Sequence, residues 1–379
     1  MVTSFGQLDE RPTLIVEVLD DAGNCGWGEV WCNFPQLVAE HRLAFLTSVV
    51  APMLEGQRLE RPEDAGQRLD RTFGVQAIQA SEEGTLASIA AGIDQALWDL
   101  IARRQEQPLW KVLGGRRSVR VCASGIDPTR AEETIRAQLQ LGHTAFKIKV
   151  GFDDATDVGV VRDMRAAFGE SIDLMVDANQ AWSLRHAVEV ANALAEYRPL
   201  WIEEPIRASE PLRTWQELAA RTSIPLATGE NIRSEQSFKE IVSGGFVKHV
   251  QPDVGKWGGL SGCTGLGRWA VAARLSYSPH WAGGGIGLAH SLAALSAVGG
   301  DGYAEVDVTA NPLRDAFFVP SIVNGTVVLP EEPGFGFVPR LASSSRVGQA
   351  SAVVSRAEPR GAGVCDAAPS DADAQTMPP

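Results

Sequence analysis

Phe146-Lys147-Ile148-Lys149-Val150 is the first of seven short apolar runs that end in charged or polar residues. The six later runs end at Val176-Asp177-Ala178-Asn179, Trp201-Ile202-Glu203-Glu204-Pro205, Thr228-Gly229-Glu230-Asn231, Gln251-Pro252-Asp253, Ser278-Pro279-His280 and Ala304-Glu305. Starting at Lys149, the charged residues of successive runs are separated by 28, 26, 27, 23, 27 and 25 positions. A repeat of roughly 25 residues fits one β-strand, one helix and two short loops. Because the carboxyl ends of the strands of a βα-barrel meet at one mouth, we expect these side chains to lie together there.

Strand and helix patterns alternate around these runs, which predicts an α/β barrel over residues 116–314. Eight strands and seven clear intervening helices are predicted. Thr309-Ala310-Asn311-Pro312-Leu313 interrupts the alternation where an eighth helix would lie, and strand-like turns are expected from there to about Pro339. The predicted strands cover residues 119–123, 145–150, 172–176, 200–203, 225–228, 247–251, 275–278 and 303–306.

The residues before the barrel follow a different pattern. Residues 13–19 and 26–31 are predicted to form a β-hairpin, and apolar residues recur at helical spacing over residues 35–106. Strands followed by helices without alternation predict a separate α+β domain over residues 1–115. The segment around residues 315–340 is expected to complete this domain. Residues 341–379 are rich in Ala, Ser and Pro, which predicts a disordered tail.

The composition is that of a globular protein with an excess of acids. The chain has 379 residues, 44% of them hydrophobic, and a formal net charge of −13. This charge disfavours nucleic acid and anionic membranes as partners, and no apolar run reaches the ~18 residues of a membrane span. The five cysteines form no CxxC pair, which predicts reduced thiols rather than zinc knuckles or disulfides. Since no signal peptide is visible at the start, we expect a cytoplasmic protein.

Three carboxylates end consecutive predicted strands: Asp177, Glu203 and Glu230. Neighbouring strands of a barrel lie only ~5 Å apart, so these acids would repel one another without a counter-charge. A hard divalent cation removes the repulsion, and oxygen-only ligands favour Mg²⁺, with Mn²⁺ as a possible substitute. The alternative is three acids paired with arginines at the barrel rim. Three acids in consecutive strands favour the metal.

Lys147 and Lys149 are two residues apart on one predicted strand, so their side chains point to the same side. A lysine beside another cation is shifted towards neutrality, which would make it a base near neutral pH. Two alternatives stay open on the residues alone: a lysine pair salt-bridged to the barrel acids, and a Schiff-base lysine.

His280 and Asp253 end neighbouring predicted strands, seven and six. An aspartate that accepts from one imidazole nitrogen orients the ring and leaves the other nitrogen for a substrate. Strands two and seven lie on roughly opposite sides of an eight-stranded ring. We therefore expect Lys149 and His280 to face a bound ligand from two sides.

These motifs resemble the enolase superfamily and, within it, the mandelate racemase group. The resemblance runs over residues 13–339 and implies an α+β capping domain over a (β/α)7β barrel. It implies a metal site, two acid/base groups on opposite sides and further polar contacts to the substrate. The implied residues are Asp177, Glu203 and Glu230 as metal ligands, Lys149 and the His280–Asp253 dyad as acid/bases, Lys147 as an auxiliary lysine, Glu305 as an electrophilic, hydrogen-bond-donating glutamate and Asn179 as a polar contact.

Three features distinguish the chain from other members of the superfamily. The muconate-lactonising and dipeptide-epimerase groups have a base lysine where this chain has Asp253, and Lys256 is predicted to be a loop residue instead. The galactonate-dehydratase type has a histidine at the position of Asn179. Family members usually begin with an additional strand and a loop that covers the substrate, whereas Met1 stands close to the end of that loop. We therefore expect an altered lid.

The expected reaction is Mg²⁺-dependent abstraction of the α-proton of a hydroxy-carboxylate to give a metal-stabilised enolate. Dehydration of a sugar acid to a 2-keto-3-deoxy acid, by a hydro-lyase, is the leading hypothesis. A racemase or epimerase with 1,1-proton transfer, or a sugar-acid lactone cycloisomerase, would share the first step and differ in pocket shape. A non-catalytic barrel scaffold is the remote alternative. We also expect a small-molecule carboxylate substrate and a homo-oligomer.

Overall fold

The structure is a computed structural model that describes residues 2–8, 10–339 and 352–354. The N-terminal part begins with a short hairpin of β1 (Val2–Thr3) and β2 (Gly6–Gln7), followed by the antiparallel strands β3 (Leu14–Asp20) and β4 (Cys25–Val30). These strands confirm the hairpin expected near residues 13–31. The helices that follow are α1 (Val38–Phe45), α2 (Ala51–Leu54), α3 (Glu63–Ala80), α4 (Glu83–Arg104) and α5 (Leu109–Val112).

Helix α4 packs directly against strand β4, and glycine makes this approach possible. A Cβ atom on Gly28 would lie 1.9 Å from the carbonyl oxygen of Gly92 in α4. Any other residue at this position would push the helix away from the sheet. The close packing fixes β4, which carries Glu29, against the core of the N-terminal part.

Eight parallel strands and seven intervening helices form the barrel, as expected for the (β/α)7β class. The strand order is β11-β10-β9-β8-β7-β6-β5, with β12 paired to β5. The strands are β5 (Ser118–Ile126), β6 (Ala145–Lys149), β7 (Asp173–Asp177), β8 (Ile202–Glu203), β9 (Leu226–Thr228), β10 (His249–Val250), β11 (Ser276–Tyr277) and β12 (Ala304–Asp307). The helices are α6 (Ala131–Gln140), α7 (Asp154–Phe168), α8 (Leu184–Leu194), α9 (Leu212–Arg221), α10 (Glu235–Ser243), α11 (Gly259–Ala272) and α12 (Gly285–Val298).

Local sequence signals start several barrel helices. The side chains of Asp153, Ser183 and Ser234 each accept a hydrogen bond from the backbone N–H three residues later. Such caps satisfy backbone donors that the helix itself leaves unpaired. The strands between them are short and buried, so their side chains form the barrel interior and the layer beneath the helices.

The segment after β12 differs from the expectation. A short helix, α13 (Pro312–Phe317), lies where strand-like turns were predicted. The Asn311 side chain accepts a hydrogen bond from Arg314 N, and Pro312 stands at the first helical position. Asn-Pro, which the prediction treated as an interruption, is here a helix start.

The described C-terminal residues contact both the barrel and the N-terminal part. Strand β13 (Ile322–Val323) pairs with β14 (Thr326–Val328), which pairs antiparallel with β5. Further on, the backbone N–H of Leu109 donates to Gly334 O at 2.7 Å. Most of the expected disordered tail lies outside the described residues. Within it, β15 (Ala352–Val354) pairs parallel with β3, which the prediction did not include.

Among the described residues, no helix is both long enough and apolar enough to cross a membrane.

Candidate active site

The three predicted metal ligands lie together at the barrel mouth. Asp177 and Glu203 are the last residues of β7 and β8 and are register partners, and Glu230 follows β9 by two residues. All three are buried, and one carboxylate oxygen from each lies within 4.8 Å of the others. Parallel strands in register therefore place side chains that are 26 and 27 residues apart in sequence into one cluster.

The three carboxylates repel one another and are buried, so their ionisation costs free energy, as the sequence predicted. The pKa of Glu203 is raised to about 7, and burial is the largest cause. Lys147 opposes the rise, and the neighbouring carboxylates of Asp177, Glu305 and Glu230 add to it. Burial likewise opposes ionisation of Glu230, but the attraction of His280 and Lys256 outweighs it and lowers its pKa. Buried acids at this separation need positive charge close by.

Lys147 and Lys149 both point into the barrel, as their spacing predicted. Lys147 Nζ lies 2.6 Å from Glu203 Oε1 and 2.5 Å from Glu305 Oε1, and Lys149 Nζ lies 2.5 Å from Asp177 Oδ2. Burial lowers the pKa of Lys149, but the attraction of Asp177 outweighs it, and the pKa is above its ordinary value. Lys147 lowers the pKa of Lys149 as expected, but Asp177 raises it more, so the expected net shift of Lys149 towards neutrality is wrong for this arrangement of side chains.

His280 lies on the far side of the triad from Lys149. Its Nδ1 is 2.7 Å from Asp253 Oδ2, and its Nε2 is 3.3 Å from Glu230 Oε2. Burial opposes the charged ring, but Glu230, Glu305 and the hydrogen bond to Asp253 raise the pKa of His280 to about 9. The structure therefore brings the expected pair together and directs its free nitrogen towards the carboxylates.

Glu305 and Asn179 complete the expected set at the mouth. Glu305 lies in β12 and accepts from Lys147, so in this arrangement it is an acceptor and not the hydrogen-bond donor that was expected. Asn179 has a positive φ of 45°, and its N–H donates to Asp177 Oδ1 at 2.9 Å. Its side-chain oxygen is buried and has no hydrogen-bond partner among the described residues. Asn179 can therefore accept from a bound molecule.

Three site residues were missed by the sequence analysis. Lys256 does lie in a turn, as predicted, but its buried Nζ is 2.6 Å from Glu230 Oε2. Glu204 has φ 38°, which turns its side chain to Asn231 at 2.7 Å, and burial raises its pKa to about 8. Gln251 donates to Glu203 Oε2 at 2.6 Å. Glu204 follows a predicted strand, Gln251 is the last residue of another, and Lys256 lies five residues beyond it, so strand alternation does not locate Glu204 or Lys256.

The N-terminal part contributes aromatic and polar side chains above the mouth. Ser4, in the turn between β1 and β2, donates to Ala178 O at 3.1 Å. The Phe34 ring lies 4.7 Å from that of Trp31 and 5.3 Å from that of Phe5, and Lys256 Nζ lies 4.8 Å from the Trp31 ring. The described chain thus has a short hairpin beside Asn179, where an altered lid was expected.

The donor set fits a hard divalent cation. The three converging groups are carboxylates, the ligands that Mg²⁺ prefers. Each is contacted at 2.5–2.6 Å by a lysine ammonium, so the triad already attracts positive charge. The alternative of arginine-paired rim acids is not what the described residues show.

Two family models match the chain. Residues 1–114 match the mandelate racemase / muconate lactonizing enzyme N-terminal domain, and residues 130–343 match the enolase C-terminal domain-like family. A D-galactonate dehydratase of Verminephrobacter eiseniae is 32% identical over 294 residues, covering 74% of each chain. A D-galactarolactone cycloisomerase of Agrobacterium fabrum is 29% identical over 349 residues, covering 87% of this chain and 89% of that one.

Solved structures share the fold over most of the chain. A mandelate racemase/muconate lactonizing enzyme from Bordetella bronchiseptica superposes with a TM-score of 0.85 at 43% identity, covering 87% of this chain and 93% of that one. A racemase from Streptomyces coelicolor with bound magnesium has a TM-score of 0.80 at 27% identity, covering 89% and 92%. The chain belongs to the mandelate racemase / muconate lactonizing enzyme family of the enolase superfamily, whose enzymes use Mg²⁺, and is an enzyme of the dehydratase or racemase kind.

Proposed function

We propose that this enzyme removes the α-proton of a hydroxy-carboxylate and dehydrates a sugar acid to a 2-keto-3-deoxy acid. The observation that supports the proposal is the position of Lys149 and His280 at opposite ends of the carboxylate triad. Lys149 contacts Asp177 at one end of the triad, and His280 contacts Glu230 at the other. A carboxylate substrate held at the triad would present one face of its α-carbon to each group.

Asp177, Glu203 and Glu230 would hold Mg²⁺, with Mn²⁺ as a substitute. When bound, the ion would supply positive charge to the substrate carboxylate and stabilise the negative charge that develops on it. With the charge of Asp177 compensated, Lys149 would lose the attraction that now favours its protonated form. The assignment of Lys149 as an acid/base group rests on its position.

The chain's own residues would move the protons. Lys149 or His280 takes the α-proton, the C–H electron pair forms a carbon–carbon double bond, and the β-carbon–oxygen bond breaks. The group on the other face donates a proton to the departing hydroxyl, which leaves as water. The enol product then tautomerises to the 2-keto acid, so no oxidant or reductant is needed. Asp253 orients the His280 ring throughout.

Other polar residues would bind and orient the substrate. Asn179 has a free side-chain acceptor for a hydroxyl. Lys147 lies between Glu203 and Glu305 and holds both carboxylates at the mouth, where Glu305 in its protonated form would donate a hydrogen bond to the substrate carboxylate. A polyhydroxylated acid fits this polar lining. The similarity to a D-galactonate dehydratase agrees with a sugar-acid substrate.

Racemisation or epimerisation is the second candidate, because groups able to accept and donate a proton stand on both faces. In that reaction one group removes the α-proton and the other returns a proton from the opposite side. Both candidates share the first step. The homo-oligomer and the cytoplasmic location stay predictions.

The test is a screen of the purified enzyme with Mg²⁺ against a library of mono- and diacid sugars, read out with semicarbazide, which detects 2-keto acids. A product from one acid supports dehydration and names the substrate. A blank screen combined with deuterium incorporation at the α-carbon would transfer the assignment to racemisation or lactone isomerisation. Absence of both, with Mg²⁺ bound, would overturn the proposal in favour of a scaffold.

A further inference from the structure

We infer that Glu29, in the N-terminal part of the chain, is a positioning residue for the His280–Asp253 dyad. Its carboxylate binds the first turn of α12 and so fixes the loop that carries His280. The inference rests on the proposed function for its catalytic consequence. Its structural consequence can be measured without any substrate.

Glu29 reaches across to the barrel from strand β4. Its Oε1 accepts a hydrogen bond from Gly284 N at 2.5 Å, and its Oε2 accepts from Gly287 N at 2.9 Å. Its own backbone is fixed in turn, because Gln95 of α4 bonds both its N–H and its carbonyl oxygen, at 3.3 and 3.0 Å. The Glu29 side chain therefore joins β4, whose backbone is held by α4, to the start of α12.

Burial of a carboxylate at this position costs free energy, which points to a function for the contact. Glu29 is only 3% exposed, and in the described part of the chain no lysine or arginine forms an ion pair with it. Burial raises its pKa to about 7, and the hydrogen bonds from Gly287 and Gly284 oppose this rise. The free N–H groups at the start of a helix favour a negative charge. A buried glutamine or an apolar residue would fill the space without this cost, but would not bind both N–H groups.

The helix start is shaped to receive the carboxylate. A Cβ atom on Gly284 would lie 2.7 Å from Glu29 Oε1, and one on Gly283 would lie 3.0 Å from the same atom. A Cβ on Gly287 would lie 2.0 Å from the Trp281 ring, which packs beside the carboxylate. Glycine at these three positions leaves the room that Glu29 and Trp281 occupy.

Only three residues stand between His280 and Gly284, so the contact acts on the loop close to the dyad. Between them, Trp281 Nε1 donates to Gly284 O at 2.9 Å. The same loop is held from the N-terminal part at Ala282 O, which accepts from Asn33 Nδ2 at 2.6 Å and from Arg11 Nη2 at 2.8 Å. Glu29 supplies the contact at the end of the loop, where the chain enters α12.

The loop of Asp253 is held by the same elements. Gln95 Nε2, which bonds the carbonyl oxygen of Glu29, also donates to Val254 O at 2.8 Å. Trp31 N donates to Gly255 O at 3.3 Å. Lys149, by contrast, lies in β6, whose five residues pair in continuous register with β7. Loss of the Glu29 contact would therefore loosen the His280 side of the site and leave the Lys149 side in place.

The test compares Glu29→Gln with the wild-type enzyme and with Glu17→Gln. Glu17 is an exposed glutamate on β3 of the same hairpin and is the matched control. The first measurement is amide hydrogen exchange of the Mg²⁺-loaded full-length proteins. We expect the amides of residues 284–287 to exchange about tenfold faster in Glu29→Gln alone, while residues 145–150 are unchanged. Equal protection of residues 284–287 in all three proteins would overturn the inference.

The second measurement uses the acid identified by the substrate screen. Deuterium incorporation on the His280 face of the α-carbon should fall more than incorporation on the Lys149 face, with kcat reduced and KM nearly unchanged. Equal loss on both faces would show a general structural role and contradict positioning. Magnesium affinity, measured by calorimetry with Mg²⁺ alone, should stay within about twofold, since the triad is not contacted.

Glu29→Asp serves where Glu29→Gln does not fold. It keeps the charge but is shorter by one methylene, so it cannot reach both N–H groups. The amides of residues 284–287 should therefore exchange faster than in the wild-type enzyme, but by less than in Glu29→Gln. If neither a product nor deuterium incorporation is found with any acid, the proposed function fails, whereas hydrogen exchange still decides whether Glu29 holds the start of α12.

Discussion

His280 and Asp253 are joined twice, through their side chains and through the backbone. Nδ1 of His280 lies 2.7 Å from Asp253 Oδ2, and the two residues form an isolated parallel bridge beyond the ends of β10 and β11. The backbone bridge sets the separation of the two Cα atoms, so the two side chains start at a distance from which they can form a hydrogen bond. Nε2 of the ring is left facing the carboxylate triad.

Asp253→Asn is expected to reduce kcat by about 10² to 10⁴-fold, because the amide neither stabilises the charged ring nor fixes its orientation. Deuterium incorporation on the His280 face should be lost, and incorporation on the Lys149 face should remain. Asp163→Asn, at an exposed position in α7, is the control. Unchanged exchange from the His280 face in Asp253→Asn would remove the dyad from the mechanism.

Lys149→Met should change deuterium exchange on the opposite face of the α-carbon from Asp253→Asn. The substitution removes the ammonium that lies 2.5 Å from Asp177 but keeps most of the side-chain volume. Exchange from the Lys149 face should fall by at least about 10²-fold, whereas exchange from the His280 face should continue. Proton NMR of the recovered substrate distinguishes the two faces. A variant that still exchanged from both faces would contradict the assignment of Lys149.

Much of the fold and most of the site followed from one repeated feature of the sequence. Each barrel strand is a short apolar run, and in parallel strands in register the residue at the carboxyl end faces the mouth. The interval of 23–28 residues therefore located Asp177, Glu203, Glu230, Asp253 and Glu305 without any knowledge of side-chain geometry. Strand alternation likewise placed Lys147 and Lys149 on one side.

The missed features depend on turns and on contacts between distant segments. Glu204 follows Glu203 directly, so alternation would turn it away from the site, but its positive φ ends the strand and brings it back. Lys256 reaches Glu230 from a turn after β10, for which no periodicity exists. Nothing in the hairpin sequence distinguishes Glu29 from an ordinary glutamate, because its contacts are made with α12, more than 250 residues further along the chain. The pKa of Lys149 depends on how close Asp177 lies, which sequence spacing does not give.

Removal of Mg²⁺ should lower the stability of the folded enzyme, and this effect should require all three carboxylates of the triad. Mg²⁺ added to the metal-free protein should raise Tm, since a ligand that binds only the folded state stabilises it by about 2.7 kcal/mol at a hundred times its Kd. Glu203→Gln should abolish this rise, because it removes one of the three converging carboxylates. Differential scanning fluorimetry with and without EDTA measures both. Glu217→Gln, an exposed glutamate of α9, is the control. An equal rise in Tm for Glu203→Gln would place the metal elsewhere.

Asp94 is a buried acid and should make the stability of the protein fall as the pH rises. It lies in α4, 4% exposed, and its Oδ1 accepts from Ser261 N at 3.0 Å. Burial raises its pKa to about 7 from an ordinary value of 3.8, against the hydrogen bonds from Ser261 and Leu260, and Glu63 raises it further. Between these two values the folded state binds more protons than the unfolded state, so stability falls as the pH rises from about 4 to 7 and is constant above.

Asp94→Asn cannot ionise and should lack this loss. The difference in the free energy of unfolding between Asp94→Asn and the wild-type enzyme, measured by urea denaturation, should therefore increase in favour of the variant from pH 5 to pH 7, by up to about 1.4 kcal/mol per pH unit, and stay level from pH 7 to pH 8. Asp70→Asn, at an exposed position in α3, should leave the pH dependence unchanged. A difference that is constant across this range would mean that Asp94 is ionised in the folded protein throughout, and that the N–H groups of α11 compensate its charge in full.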